Sequence, residues 1–269
     1  MFVLCRDTAC AVLLSMVFCG CAPAQSENAT APDAPQAKAS AGAAADSGEK
    51  VTLRGVPMNL LRDQEAIWTS PAHIRESDLK YLIPLGLATT VLMTTDHQVM
   101  SSSKLNNTSL NNHAITASNG LEGAFIAAPV AIFGLGRLRH DDHATETGIL
   151  AGEAILDSLG VNEVLKAASQ RERPTVDGAK GKFFQSGVGL DSSFASNHSV
   201  IAWSSAEVIA SEYPGPLTQI TAYGLATGVS LTRVLGKQHF PSDVLVGSAV
   251  GWMIGRYVYH RHHKGDFAY

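Results

Sequence analysis

Helical periodicity dominates the sequence from about residue 51 onward, and it restricts the fold more than any other feature. Apolar residues recur at helical spacing in seven runs, near residues 58–68, 78–94, 120–138, 145–171, 197–212, 216–235 and 241–262. No stretch of useful length alternates apolar and polar residues as a half-buried strand does. Between these runs, residues 106–119 read as a polar, Asn-rich connector. The sequence therefore predicts an all-α fold, built as one bundle of helices.

The first 50 residues differ from the rest and predict an exported protein. Residues 1–24 join one basic residue, Arg6, to an apolar core followed by small residues, as export signals do. Residues 25–50 are rich in Ala, Ser, Pro and Gly without apolar periodicity, which is typical of a flexible tether. We therefore expect a signal peptide over 1–24, a disordered tether over 25–50 and a helical domain over 51–269.

Two processing routes fit this signal. All four cysteines of the chain lie within it, so the mature domain has neither a disulfide nor a cysteine metal site. The segment from Phe18 to Cys21 resembles a bacterial lipobox, which would leave Cys21 lipidated and the protein anchored at the periplasmic membrane surface. Ala22-Pro23-Ala24 instead fits a cleavage site that releases a soluble periplasmic protein. The tether directly after Cys21 favours the lipid anchor.

The charge and the hydropathy of the sequence argue against binding to nucleic acid and against helices that span a membrane. A net charge of −4 gives no support for binding nucleic acid. Four apolar stretches, at 81–95, 123–136, 213–232 and 244–255, are too short or too interrupted for comfortable membrane spans. We expect them to be buried helices of a domain beside the membrane. The segment His140 to His143 and the histidines His260, His262 and His263 are expected to be solvated, and not to bind a metal.

Two cations lie seven residues apart in the segment that ends at Pro174. Lys166 and Arg173 would share one face of a helix, about 10 Å apart along its axis. Pro174 disfavours helix at Arg173 and so places it at the helix end. Two long cations in such positions can clamp a phosphate, and the arginine offers two parallel donors.

A second segment, Ala195-Ser196-Asn197-His198, stands where a helix begins. Free backbone N–H groups and the positive end of the helix dipole suit an anion there. The Ser196 hydroxyl can add a hydrogen bond, and His198 falls in the first turn beside the bound group.

A third segment combines Arg233, His239 and Asp243. Pro241 suits a first helical position, so His239 precedes a helix and Asp243 lies in its first turn. Asp243 can then accept a hydrogen bond from one ring nitrogen of His239, leaving the other free to attack. Arg233 supplies a third cation just upstream.

Together the three segments resemble the signature of the type 2 phosphatidic acid phosphatase superfamily, which includes bacterial non-specific acid phosphatases and vanadium haloperoxidases. That signature is K-x(6)-R-P, then P-S-G-H, then S-R-x(5)-H-x(3)-D. The first part is matched in full. Ala195 and Asn197 replace the Pro and Gly of the second, and Thr232 replaces the Ser of the third. The resemblance covers roughly residues 145–260 and implies the helical bundle of that superfamily.

The resemblance also implies roles for individual residues. It assigns phosphate binding to Lys166, Arg173, Ser196, Asn197 and Arg233. It makes His239 a nucleophile that forms a phosphohistidine, Asp243 the residue that orients it, and His198 the acid for the leaving oxygen. No cofactor and no metal are implied. Asn197 is the main departure, because the family glycine lets the backbone approach phosphate closely, and asparagine tolerates left-handed conformations better than most residues.

Four functions remain open at this stage. The leading one is a metal-independent phosphatase acting on phosphorylated lipids, monoesters or diphosphates, at the periplasmic membrane face. The first alternative is a soluble periplasmic acid phosphatase acting on small phosphate esters. The others are a vanadate-dependent haloperoxidase, which shares the same anion site, and an inactive protein that binds phosphate or lipid.

Overall fold

A computed structural model describes residues 51–263 of the chain, and these residues form seven α-helices with no strand among them. The helices are α1 Val56–Thr69, α2 Glu76–Met100, α3 Thr108–Arg139, α4 Asp142–Ser169, α5 Asn197–Glu212, α6 Pro216–Leu235 and α7 Pro241–His262. The predicted all-α bundle is confirmed. The predicted signal peptide, the tether and Cys21 lie outside the described residues.

The helix α5 is the centre of the bundle. It packs against α3, α4, α6 and α7, and most of its residues are buried. Its apolar residues join those of α3, α4 and α6 in one cluster, and Val208 joins residues of α4 and α7 in another. Because the segment before α5 carries Ser196, this central packing fixes the position of the second motif.

Glycines bring α7 unusually close to α5. Gly247, Gly251 and Gly255 recur every fourth residue on one face of α7. A Cβ atom at Gly247 would lie 2.8 Å from the Ser196 carbonyl oxygen, and one at Gly255 would lie 2.6 Å from the Ser204 carbonyl oxygen. These distances are too short for any side chain, so the two helices touch through their backbones. We call this contact the glycine seam.

The helix α3 begins about twelve residues before its predicted start, so most of the expected connector at 106–119 is helical. The Asn107 side chain accepts a hydrogen bond from the Leu110 N–H and caps the helix. The polar residues that follow contact other elements: the Asn111 amide donates to the Leu235 carbonyl at 2.7 Å. These residues are polar because they make tertiary contacts. Apolar periodicity therefore did not predict this part of the helix.

The expectation that the four apolar stretches are buried is wrong for three of them. Residues 81–95 of α2 contain no buried residue, and most residues of 123–136 in α3 and of 213–232, largely α6, are exposed or partly exposed. In the described part of the chain, α3 is the one helix long and apolar enough to cross a membrane, and only 17% of its apolar window is buried. The outer faces of α2 and α3 are therefore apolar and uncovered.

Candidate active site

The three motifs meet at one end of the bundle. Lys166 lies in the last turn of α4, and Arg173 follows in the loop 170–196. Two residues of the third motif complete the group, since Arg233 ends α6 and His239 precedes α7. His198 belongs to the first turn of α5, and both His198 and Arg233 contact the same side-chain oxygen, Oδ1 of Asn119. Every site residue that the sequence singled out in these motifs therefore lies in this region.

His239 is held by a backbone carbonyl. Its Nδ1 lies 2.7 Å from the Ser193 carbonyl oxygen and 3.8 Å from Oδ2 of Asp243. A carbonyl oxygen only accepts hydrogen bonds, so Nδ1 carries the proton and Nε2 keeps its lone pair. The expected direct hydrogen bond from His239 to Asp243 is thus replaced by one to Ser193. The tautomer is nevertheless the one that a nucleophile requires.

Asp243 anchors the turn that carries His239. Its Oδ2 accepts hydrogen bonds from the Phe240 N–H at 2.8 Å and the Ser193 hydroxyl at 2.5 Å. Burial alone would raise its pKa, but His239, Arg171 and Ser193 together hold the pKa of Asp243 below its usual value. Asp243 therefore remains a carboxylate, and its negative charge faces the imidazole.

Arg171 was missed by the sequence reading, although it is the most heavily coordinated cation of the site. Its Nη1 donates to Oδ1 of Asp243 at 2.5 Å, and its Nη2 donates to Oδ2 of Asp96 at 2.8 Å. The guanidinium lies 4.8 Å from the Phe183 ring centre and 4.1 Å from that of Phe240. The site thus contains a buried carboxylate–arginine–carboxylate bridge that joins α2, the loop 170–196 and α7.

Burial and neighbouring cations keep His239 neutral. Burial lowers the pKa of His239 to about 4; Asp243 opposes this decrease, and Arg173 and Arg233 add smaller decreases of their own. At neutral pH the Nε2 lone pair is therefore free. Within residues 51–263, Nε2 has no hydrogen-bond partner.

The phosphate-binding candidates form a cation-rich pocket. Lys166 and Arg233 are only 4% and 6% exposed. Burial lowers the pKa of both groups, and in each case the nearby charge of Arg173 lowers it further. The Nε of Arg233 is buried and has no partner among the described residues, while Nη1 donates to the Ser118 hydroxyl at 3.1 Å. A bound anion could accept a hydrogen bond from this unused Nε–H group.

Two of these cations also contact the exposed part of the loop 170–196. Arg173 donates to the Asp191 carboxylate at 2.9 Å and to the Gln238 carbonyl at 3.2 Å. The ammonium of Lys166 donates to the Leu190 carbonyl at 3.2 Å. An incoming phosphate would compete with Asp191 for Arg173, and an exposed ion pair of this kind costs at most about 1 kcal/mol to break.

His198 is paired with acceptors on α3. Its Nε2 lies 2.9 Å from Oε2 of Glu122 and 3.0 Å from Oδ1 of Asn119. A carboxylate oxygen only accepts, so Nε2 carries a proton in this contact. Neither Glu122 nor Asn119 was predicted, because both lie in or beside the segment that the sequence presented as a connector.

The asparagine at the family glycine position is accommodated in the helix. Asn197 is the first residue of α5 and is not among the residues with a left-handed backbone, so tolerance of that conformation is not what permits it. Its side chain turns toward α4, where its amide donates to Oε1 of Glu163 at 2.9 Å and its oxygen accepts from Asn162. The adjacent Ser196 is fully buried, and its hydroxyl accepts the Ser199 N–H as a helix cap.

Of the histidines expected to be solvated, His140 and His260 are exposed, but His143, His262 and His263 each contact a buried carboxylate. His143 lies 3.0 Å from Oε2 of Glu212, and His263 lies 3.0 Å from the other oxygen of that carboxylate. His262 lies 2.7 Å from Oδ2 of Asp63. In the described residues, two groups of three side chains have the spacing of metal ligands: Asp63, Glu153 and His262, and Glu146, Glu212 and His263.

Phe183 anchors its loop to the core. Its ring contacts Arg171 and lies 5.8 Å from the Phe194 ring. Phe184, in contrast, is 78% exposed. Phe183 therefore holds the loop in place, whereas Phe184 is free to touch another molecule.

Comparison with known proteins agrees with the site. Residues 147–266 match the family model described as the PAP2 superfamily. The fold is similar to that of the crystal structure of a transmembrane PAP2-type phosphatidylglycerolphosphate phosphatase from Bacillus subtilis, with a TM-score of 0.51 and 22% identity over 69% of this chain and 98% of that one. No curated protein matches the chain. The family match supports an enzyme of the phosphatase class. Over residues 147–266 the chain therefore resembles the PAP2 superfamily, in the part that holds the three motifs.

Proposed function

We propose that this protein hydrolyses lipid phosphates at the periplasmic membrane face, through a phosphohistidine formed on His239. The observation that carries the proposal is a cluster of three cations, one with an unused buried donor, beside a neutral histidine whose Nε2 is free. Lys166, Arg173 and Arg233 can surround the three non-bridging oxygens of a phosphoryl group, and the unpaired Nε of Arg233 would gain an acceptor. Hydrogen bonds to charged groups contribute about 1.5–3 kcal/mol each.

The proposed reaction gives the two histidines different tasks, one as nucleophile and one as proton donor. Nε2 of His239 attacks phosphorus, the P–O bond to the alcohol breaks, and His198 gives its proton to the departing oxygen. Water then attacks the phosphohistidine, His198 takes one of its protons, and the N–P bond breaks to release phosphate. Asp243 balances the positive charge that develops on the His239 ring. None of these steps needs a metal or a cofactor.

A lipid substrate is supported by the surfaces around the pocket. The loop 170–196, which contacts Lys166 and Arg173, exposes three apolar side chains: Val176, Phe184 and Leu190. The outer faces of α2 and α3 are also apolar, and α3 carries Asn119 and Glu122 into the site. Acyl chains or a bilayer would cover such surfaces, whereas a small soluble phosphate ester would leave them in water. Membrane association through this face would add to any anchor at Cys21.

Substrate preference tests this proposal directly. The full chain, purified in detergent, is assayed for phosphate release from phosphatidate, undecaprenyl diphosphate, lipid A and a soluble aryl phosphate. We expect kcat/KM for at least one lipid to exceed that for the aryl phosphate by tenfold or more, and vanadate to inhibit by occupying the cation pocket. Faster turnover of the soluble ester would favour an acid phosphatase. No release from any substrate would indicate a binding protein.

We expect His198→Ala to discriminate between leaving groups. An alkyl alkoxide is a poor leaving group and needs the proton from His198, whereas an aryl oxide with a low pKa needs little protonation. The loss in kcat/KM should be about 10²–10⁴-fold for alkyl phosphates and much smaller for aryl phosphates. Glu122→Gln, which keeps an acceptor opposite His198, should retain most of the activity. Equal losses on both substrates in His198→Ala would contradict the role of acid.

A further inference from the structure

A second polar cluster lies inside the bundle, between α1, α4 and α7. Three carboxylates there are almost fully buried: Asp63 at 0%, Glu153 at 1% and Asp157 at 0% exposure. His262, near the end of α7, closes the group with its Nε2 2.7 Å from Oδ2 of Asp63. Buried carboxylates normally have cationic or hydrogen-bonding partners, since an unpaired one costs several kcal/mol.

The partners present do not satisfy this cluster. Oδ1 of Asp63 accepts from the Tyr257 hydroxyl at 3.1 Å and faces the half-exposed Arg261 at 3.4 Å. Oδ1 of Asp157 accepts from the Gln64 amide at 2.9 Å. The other oxygen of Asp157 and both oxygens of Glu153 have no hydrogen-bond partner among the described residues. Three acidic groups thus face one arginine and one histidine, and three buried carboxylate oxygens lack a hydrogen-bond partner among the described residues.

We propose that Asp63, Glu153 and His262 bind a divalent transition-metal ion, of the class of Mn²⁺ or Zn²⁺. Their donor atoms lie within 4.8 Å of one another. Two ligands of a tetrahedral ion are about 3.4 Å apart, because each bond is about 2.1 Å long. The most distant donors therefore need to approach by up to about 1.4 Å. One imidazole with carboxylates suits Mn²⁺ or Zn²⁺ better than Mg²⁺ or Ca²⁺, which prefer oxygen alone.

Protonation is the alternative way to neutralise the cluster. Burial raises the pKa of Asp157 to about 7, with Asp63 and Glu153 adding to the rise and Gln64 and His262 opposing it. Burial also raises the pKa of Glu153, which His262 and the nearby Asn59 amide partly offset. A metal-free cluster therefore takes up protons near neutral pH. Protons and a metal ion would therefore compete for the same carboxylates.

The site is separate from the phosphate pocket. Glu153 and Lys166 both lie on α4, but roughly thirteen residues, or about 20 Å of helix, separate them. The ion would touch neither the substrate nor His239. It would instead join α1 and the end of α7 to α4, so its expected effect is on stability and not on phosphoryl transfer.

The second ligand-like group provides a matched control. Glu146, Glu212 and His263 have comparable spacing, and they also lie between α4 and the end of α7. Each of these side chains has partners within the protein, including the contact of His263 with Glu212 at 3.0 Å. The orphaned oxygens single out the Glu153 group. Removing a carboxylate from each group in turn therefore distinguishes a specific site from general binding by acidic residues.

The test measures metal content and thermal stability on the full chain. Wild type, Glu153→Gln, His262→Ala and Glu146→Gln are stripped with EDTA and dialysed. Each is then given Zn²⁺ or Mn²⁺ alone, and bound ion is counted by mass spectrometry. We expect wild type and Glu146→Gln to hold about one ion more than Glu153→Gln and His262→Ala. The Tm of wild type should rise by at least about 4 °C with the ion, and that of Glu153→Gln should not change.

Two results would overturn the proposal. Wild type that neither holds an ion nor changes its Tm would show that protons alone neutralise the cluster. Equal ion content in wild type and Glu153→Gln would place any metal elsewhere. Misfolding does not obscure the comparison, because Glu153→Gln removes an unpaired buried charge and should leave the metal-free protein at least as stable. His262 lies at the rim, in the last turn of α7.

Discussion

His239→Ala should abolish phosphate release from lipid and aryl substrates alike, lowering kcat by more than about 10⁴-fold. Without the imidazole ring no N–P bond can form, so even an aryl phosphate with a good leaving group should not be hydrolysed. The remaining cation pocket should still bind, so vanadate or phosphate affinity should change by only a few-fold. The measurements are kcat with both substrate types, and inhibitor binding to the variant.

A control variant at a second histidine and the pH dependence of kcat/KM both test the role of His239. His113 is exposed on α3, so His113→Ala should keep wild-type activity. Because the pKa of His239 is lowered to about 4, the nucleophile stays unprotonated well below neutral pH. The acid limb of kcat/KM that reports His239 should then lie nearer pH 4 than pH 6.5. Loss of the same size on alkyl and aryl substrates in His239→Ala is expected, and residual turnover of aryl phosphates above about 1% would exclude His239 as nucleophile.

Arg171→Met should lower the free energy of unfolding by about 3–5 kcal/mol and remove most of the activity. The substitution keeps much of the side-chain volume between the two phenylalanine rings but removes the guanidinium that joins Asp96 to Asp243. Two buried carboxylates are then left without a counter-charge, which is among the costliest single changes in a protein interior. The pKa of Asp243 would rise, and its support for the charged His239 ring would weaken.

The stability effect is measured by urea unfolding, with Arg256→Met as the control. Arg256 also pairs with a buried carboxylate, Glu207 at 3.4 Å, and also lies over an aromatic ring, but it is half exposed. Its loss should cost about 1 kcal/mol or less. Asp96→Asn combined with Arg171→Met should recover part of the stability, since one buried charge is removed. Similar destabilisation by Arg171→Met and Arg256→Met would show that the bridge carries little energy.

Helices with local start signals were predictable from the sequence. The helices α5, α6 and α7 have the predicted bounds, because Ser196 caps the first and a proline opens each of the other two, Pro216 and Pro241. The helix α3 was predicted too short, since its first turns use polar residues for contacts with α6. Local signals report propensity and capping, and they do not report a polar residue whose partner is distant in sequence.

In the site, too, local sequence patterns predicted some residues, and contacts between distant segments determined the others. Motif spacing identified the residues around the phosphate pocket, but the residues that hold them come from elsewhere: Asp96 on α2, Glu122 on α3, and Arg171 and Ser193 in the loop 170–196. Arg171 stands two positions before Arg173, and nothing in one sequence distinguishes a buried bridging arginine from a solvated one. Only the packing of α2 against α7 shows which of the two faces the interior.

The glycine seam has a dynamic consequence. Backbones in direct contact leave no side-chain layer that can repack, so α5 and α7 should move as one rigid body, and with them the turns that carry His198 and His239. Any opening and closing should then fall to the exposed part of the loop 170–196 around Leu190 and Asp191, which contact Lys166 and Arg173, because Arg171 and Ser193 tie the ends of the loop to α7. The two histidines would then stay fixed on α5 and α7, and movement of the loop would control how fast phosphate enters and leaves.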